Sequence, residues 1–308
     1  MRLSHQLTML CLLLLGGVAP LATFAQDGPS PIDLTPPTLG EFDPASVEEI
    51  RVEDLPIVPD ITDHARQIYA AGQAEGRAEA VFTKVGDCMT ASKYFFTAFA
   101  TAEGFDLGEY DDLTSIIETF QAIPVLEEYN SFSNPSQAMA SGFNTASVLD
   151  PIWANPEFCG AEESPLTCEY RLSNASFSII MFGTNDVFFL DAATFDYYLR
   201  TIILQTITSN IVPIMSTIPT RPEFPEQTYL YNQIIIKIAQ DYDLPIVNLW
   251  AAIQDLPNEG VDPIEPIHLS IPEDANTGDF VNNLEYGYTV RNLLMLQTLE
   301  TLWQGVRG

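Results

Sequence analysis

Two short apolar runs, residues 80–85 and 177–182, each break off at a cluster of small polar residues. Gly86-Asp87-Cys88 follows the first and Gly183-Thr184-Asn185-Asp186 the second. Runs of this length, rich in Val, Ile and Phe, read as buried strands, and the clusters read as turns. Two further apolar runs, 211–218 and 246–250, follow the same pattern. Apolar residues recur at helical spacing over 192–208, 227–242 and 284–306. Strands alternating with helices specify an α/β fold, a mostly parallel sheet with helices on both faces. Reactive groups in such sheets gather beyond the carboxyl ends of the strands, which is where both polar clusters fall. With 46% hydrophobic and 11% aromatic residues the chain can fill a core, so disorder throughout is excluded. No internal repeat is visible.

The 308 residues carry 42 Asp and Glu against 12 Lys and Arg, a formal charge of −30. Affinity for phosphate backbones needs clustered Lys and Arg, so nucleic acid is excluded as a partner. Electrostatic attachment to an anionic membrane is excluded for the same reason. Residues 1–25 have the form of an export signal, with Arg2 at the start, an apolar stretch over 7–18, and Thr23-Phe24-Ala25 as a cleavage site before Gln26. The alternative is a retained signal anchor, although Gly16, Gly17 and Pro20 interrupt the stretch. Cys11 leaves with the signal. No second stretch is long enough to span a bilayer, so the mature chain is expected outside the cytoplasm, secreted or surface-associated, where disulfides persist. Residues 26–60 hold seven Pro, nine acidic residues and one Arg. That composition forms an extended linker or a strap on the domain surface, and the globular domain is expected over 61–308.

Cys159 and Cys168 flank a short polar loop and are expected to form a disulfide, contributing about 2–3 kcal/mol on the chain-entropy account. Cys88 is then the odd cysteine, either buried and inert or kept for its chemistry. Outside the leader the histidines are His64 and His268. His64, at the apparent start of a helix beside Asp63 and Arg66, reads as solvated. His268 lies in a proline-punctuated loop, and Glu265, three residues earlier, can reach the imidazole in a turn and fix its tautomer. A nucleophile at a strand-to-helix turn points into the cleft, and the N–H groups of the next helix lower a thiol's pKa there. An Asn at a neighbouring strand end can donate to a developing oxyanion. A glycine in another loop lets its backbone N–H approach the same oxygen.

On these residues the sequence resembles the SGNH (GDSL-type) hydrolases. Gly86-Asp87-Cys88 matches the first block, Gly183-Thr184-Asn185-Asp186 the third and Glu265-Pro266-Ile267-His268 the last, with Ser141-Gly142-Phe143-Asn144-Thr145 as a weaker second. The order and spacing hold from about Val81 to Trp303. The resemblance implies a three-layer α/β/α sandwich of the flavodoxin-like SGNH-hydrolase kind and hydrolysis of an ester through an acyl-enzyme. It places Cys88 as nucleophile, His268 as base, and the Cys88 N–H, Gly142 and Asn185 in the oxyanion hole. The sequence departs from the family twice. Cysteine stands where the family has serine, and Glu265 where it has aspartate, with Asp262 a further candidate to orient His268. A thiolate needs less help from a base than an alkoxide. Thioester chemistry and acyl transfer are therefore open, as is a catalytically degenerate fold used for binding or at a cell surface.

So few His and Cys cannot build a multi-His metal site, and neither metal nor cofactor is expected. The expected substrate is a small-molecule, carbohydrate or lipid ester. A redox thiol site is disfavoured, because no second cysteine lies near Cys88 in sequence. Trp153, Trp250 and Trp303 read as core aromatics. Asp186, Asp191 and Asp196 are too scattered for a calcium loop, and Asp111-Asp112 and Glu127-Glu128 read as solvated surface. Asn232 and Arg291 lie in helical stretches whose spacing demands no role at the cleft.

Overall fold

The four apolar runs pair into one parallel sheet. In the computed structural model, which describes residues 32–307, α1 (Asp63–Ala74) leads into β1 (Ala78–Gly86), followed by α2 (Cys88–Ala91) and α3 (Thr114–Gln121). After a long irregular stretch come α4 (Pro165–Ser173), β2 (Ala175–Met181), α5 (Asp186–Phe189), α6 (Ala192–Thr208) and β3 (Val212–Ser216). The chain continues through α7 (Pro225–Asp241), β4 (Ile246–Val247) and α8 (Leu249–Ile253) to α9 (Gly287–Arg307). The sheet order is β1-β2-β3-β4, with Phe82 opposite Phe177, Phe177 opposite Val212 and Met215 opposite Ile246. β2 and β3 are buried along their whole length, as strands covered on both faces must be. Helices α1, α3 and α9 pack together on one side, and α4, α6 and α7 on the other.

The free edge of β1 carries a rudimentary fifth strand. Gly86 N donates to Ala138 O at 3.1 Å, and Ala140 N to Gly86 O at 3.4 Å, so Met139 bridges Gly86 in parallel. From β1 the chain therefore steps to one side, at 138–140, and then crosses to the other side at β2. Such a reversal opens a crevice at the carboxyl end of the sheet. Cys88 stands at that crevice.

Of the acidic, proline-rich segment, the part over 44–58 lies along α7 and α8. Val47 and Val52 are buried. Asn248 donates to Val52 O at 2.7 Å and Leu55 O at 3.1 Å, while Gln233 donates to Val47 O at 3.1 Å and Ile50 O at 2.8 Å. The export signal expected over 1–25, with Cys11, lies outside the described residues. No helix among the described residues is long and apolar enough to cross a membrane. The Cys159–Cys168 disulfide is present and ties the preceding loop to α4.

Three expectations are corrected. The strand read over 246–250 stops at Val247, because the Asn248 side chain accepts the Ala251 N–H and starts α8. Leu249 and Trp250 are thus helical. His64 is buried rather than solvated, with Nδ1 2.6 Å from Tyr242 O. Among the tryptophans, Trp303 is core, but Trp153 is 59% exposed and leans on Phe143.

Candidate active site

β1 ends at a residue that has to be glycine. A Cβ on Gly86 would lie 2.6 Å from Met181 O of the neighbouring strand and 2.4 Å from Thr90 Oγ1. The next residue, Asp87, is fully buried, and its Oδ1 accepts the Met89 N–H at 3.0 Å, capping α2. Cys88 opens that helix and is half-buried. From α9, Arg291 reaches across to donate to Met89 O at 2.8 Å and Thr90 Oγ1 at 3.0 Å, with its guanidinium 3.8 Å from the Phe95 ring. Tyr288, one turn earlier, donates to the same Met89 carbonyl at 3.3 Å.

The thiol is not activated by this setting. Burial pushes Cys88 up to about 12, the adjacent Asp87 carboxyl adds to the rise, and the nearby N–H groups of Met89 and Cys88 only partly offset it. The expectation that the following helix lowers the thiol pKa is therefore overturned. α2 has four residues, too few peptide dipoles to outweigh desolvation. Burial also raises Asp87 to about 7 and Asp186 to about 6, and it lowers Arg291 to about 10.

A cleft of about 380 Å³ joins Cys88 to Ser141, Asp262, Glu265 and His268. Tyr94, Leu269, Ile271 and Tyr288 form its more apolar wall. His268 Nδ1 lies 3.3 Å from Glu265 Oε2. Asp262 is engaged elsewhere, its Oδ1 accepting the N–H groups of Ile264 at 2.8 Å and Glu265 at 2.9 Å. Of the two carboxylates, Glu265 thus meets the imidazole and Asp262 shapes the loop. Cys88 and His268 line one cleft without a direct hydrogen bond between them. A larger cleft, about 530 Å³, lies between residues 33–46 and the α6–α7 pair, and its Asp196, Arg200, Lys237 and Asp241 are tied up in ion pairs. It contains neither cysteine nor histidine.

The loop with Gly142 is fastened to the end of β2. Asn185 Nδ2 donates to Phe143 O at 2.8 Å, and Thr145 donates to Asp186 Oδ1 from its N–H at 2.9 Å and its hydroxyl at 2.5 Å. Gly142 has φ +86° and open space where a side chain would be, so its backbone stays accessible. Among the described residues, the N–H groups of Cys88 and Gly142 have no backbone acceptor, and Asn185 keeps one amide hydrogen uncommitted. The approach to this loop is fixed by two buried charged residues, each bonded to the loop rather than to the other, that the sequence did not single out. Lys84 donates to Phe132 O at 2.8 Å, while Glu169 accepts from Gln137 N at 2.7 Å and Asn134 at 3.0 Å. A Lys inside an apolar strand run was the available signal. Arg291, whose spacing demanded no role at the cleft, sits one helical turn from Tyr288 on the buried face of α9, beside the buried Asn292. Among the described residues no group of three or more His, Cys, Asp or Glu is placed to hold a metal ion.

No protein-family model matches the sequence, and no curated protein matches it. Among solved structures the chain is similar to a lipase/acylhydrolase from Enterococcus faecalis, with 18% identity, 70% of this chain and 93% of that one covered, and a TM-score of 0.43. It is also similar to a variant of an acetyl xylan esterase from Geobacillus stearothermophilus, at 15% identity, 72% and 95% coverage and a TM-score of 0.44. A GDSL-like lipase from Bacteroides thetaiotaomicron aligns at 14% identity over 77% of this chain and 98% of its own, with a TM-score of 0.40.

Proposed function

We propose that the protein is an exported hydrolase that cleaves an ester or thioester through an acyl-enzyme on Cys88. The observation that carries this reading is the convergence, on one cleft, of a cysteine from the turn after β1 and a carboxylate-backed histidine from a loop far along the chain. His268 takes the thiol proton as Cys88 Sγ attacks the carbonyl carbon. The carbonyl oxygen becomes anionic among the N–H groups of Cys88 and Gly142 and the uncommitted amide hydrogen of Asn185. Such a donor is typically worth about 3–4 kcal/mol in the transition state. Collapse breaks the bond to the leaving oxygen or sulfur, which departs with the proton from His268. Water, giving its proton to His268, then attacks the thioester, releasing the acid and restoring the thiol. Because burial keeps the resting thiol neutral, proton transfer to His268 coupled to attack is favoured over a preformed thiolate. The Cys159–Cys168 disulfide supports a location outside the cytoplasm.

A second reading has its own support. A thiol raised to about 12 and not hydrogen-bonded to His268 suits a degenerate site in a binding or surface module. Short acyl nitrophenyl esters separate the two. The hydrolase gives turnover and an acyl adduct on intact mass, both abolished in Cys88→Ala. Wild-type protein showing neither would leave the binding module standing.

A further inference from the structure

We propose that Asp87 is a positioning residue held as a neutral carboxylic acid beneath Cys88, and that loss of its proton shuts the site on the alkaline side. The consequence for turnover rests on the reading of Cys88 as nucleophile, while the consequence for the thiol does not. Asp87 is fully buried, and only its Oδ1 has a donor, the Met89 N–H at 3.0 Å. Its Oδ2 is buried without a partner. A carboxylate so placed lacks the hydrogen bonds that offset its desolvation, whereas the neutral acid costs far less to bury.

The charged groups around it do not repair this. Arg291 is directed at Met89 O and Thr90. Arg221 donates to Thr184 O at 2.8 Å and to Glu223 at 3.3 Å. Both lower the pKa through space without pairing with Asp87, and Asp186 acts against them as a second buried acid. Asp186 takes two hydrogen bonds from Thr145 on one oxygen, its other oxygen also lacking a partner. It is the better placed of the two to carry charge, so its neighbour holds the proton. Cys88 and Tyr288 complete the titratable surroundings. Burial is the largest effect on Asp87 and raises it to about 7.

Below that value the turn is uncharged. Above it, a carboxylate one residue from Cys88 opposes both thiolate and oxyanion in a site that screens poorly. An unencumbered cysteine gains reactivity steadily as pH rises through its thiol pKa, and here that gain is held back by the charge that appears on Asp87.

Asp87→Asn keeps the cap and the shape and cannot ionise. Alkylation of Cys88 by iodoacetamide is followed from about pH 5 to about pH 9, a span that brackets the raised Asp87 carboxyl and reaches the ordinary thiol value. At the alkaline end the Asn variant should react about tenfold faster than wild type, the effect of one unit in thiol pKa. Any ester turnover should lose its alkaline decline in the same variant. Infrared spectroscopy supplies a readout free of both chemistries. Wild type should show a protonated-carboxyl component that titrates away near neutrality and is missing in Asp87→Asn, distinct from the bands of the other buried acids, Asp186 and Glu169, which remain in that variant. Asp186→Asn should retain the band and shift its titration downward. Equal alkylation rates, or a component titrating near neutrality that survives in Asp87→Asn, overturn the proposal. If Asp87→Asn does not fold, a wild-type spectrum with no protonated carboxyl titrating near neutrality overturns it equally. Faster alkylation and the expected band without any turnover would uphold Asp87's role and remove only the hydrolase reading.

Discussion

The turn that carries Cys88 and the loop that carries His268 face the same cleft but are held in different ways. Around Cys88, Arg291, Tyr288 and the Asp87 cap all converge on the four residues of α2, and Asp87, Met89 and Arg291 are buried. Around His268 the restraints are the loop's own: Asp262 N to His268 O at 2.9 Å, His268 N to Glu265 O at 2.9 Å, and the two turns accepted by Asp262. Ile264 and the Glu265 side chain are 88% and 71% exposed. A change on the first side disturbs a packed interior, and a change on the second disturbs a solvated hairpin. Stability and catalysis are thus separable between two halves of one proposed site.

The largest expected effect tests the loop. His268→Ala should reduce ester turnover by about 10²–10⁴, the range for removing a general base. Its urea midpoint should correspond to a change within about 0.5 kcal/mol. A large loss of stability in this variant would break the contrast. Arg291→Ala tests the other half, and should lose about 3–5 kcal/mol in urea unfolding. It empties a large buried site and removes the charged donor of Met89 O and Thr90. Arg291→Met should recover part of that loss by keeping contact with Phe95 while removing a buried charge. Recovery of none would show that the hydrogen bonds, rather than packing, set the turn. The smallest effect is expected from Glu265→Gln. An exposed carboxylate–imidazole contact is worth up to about 1 kcal/mol, so kcat should fall less than about fivefold with KM unchanged. A larger fall would place the loop with the rigid half.

Much of the architecture can be read from period and punctuation alone. β2 and most of β1 are buried, so their residues are mostly apolar, with Thr83, Lys84, Ser176 and Ser178 the buried polar exceptions, and the turns that end them are small and polar. The Cys159–Cys168 pairing follows from a short loop with two cysteines at its ends. What escaped the sequence depended on contacts made across long separations. His64 looks solvated beside Asp63 and Arg66, yet its ring nitrogen meets a carbonyl at the far end of α7. Trp153 sits near apolar residues in the chain but ends up exposed over Phe143. The thiol of Cys88 depends on how much of it is desolvated, and local spacing carries no measure of that. Arg291 looks like one more cation on an amphipathic helix, because its acceptors lie 201 and 202 positions earlier.

The segment over 44–58 has a kinetic consequence. Its bonds to Gln233 and Asn248 close across 186 and 196 positions, so it is made early and can be seated only after α7 and α8 exist. Contacts of such separation form late, since loop closure precedes any gain from them. During that wait its prolines and carboxylates keep it extended and soluble, while the few apolar anchors, Val47 and Val52, remain bare. Seating it is then a final latch on the finished domain. A chain begun after residue 60 would fold with the α7–α8 groove open and the Gln233 and Asn248 amides facing water.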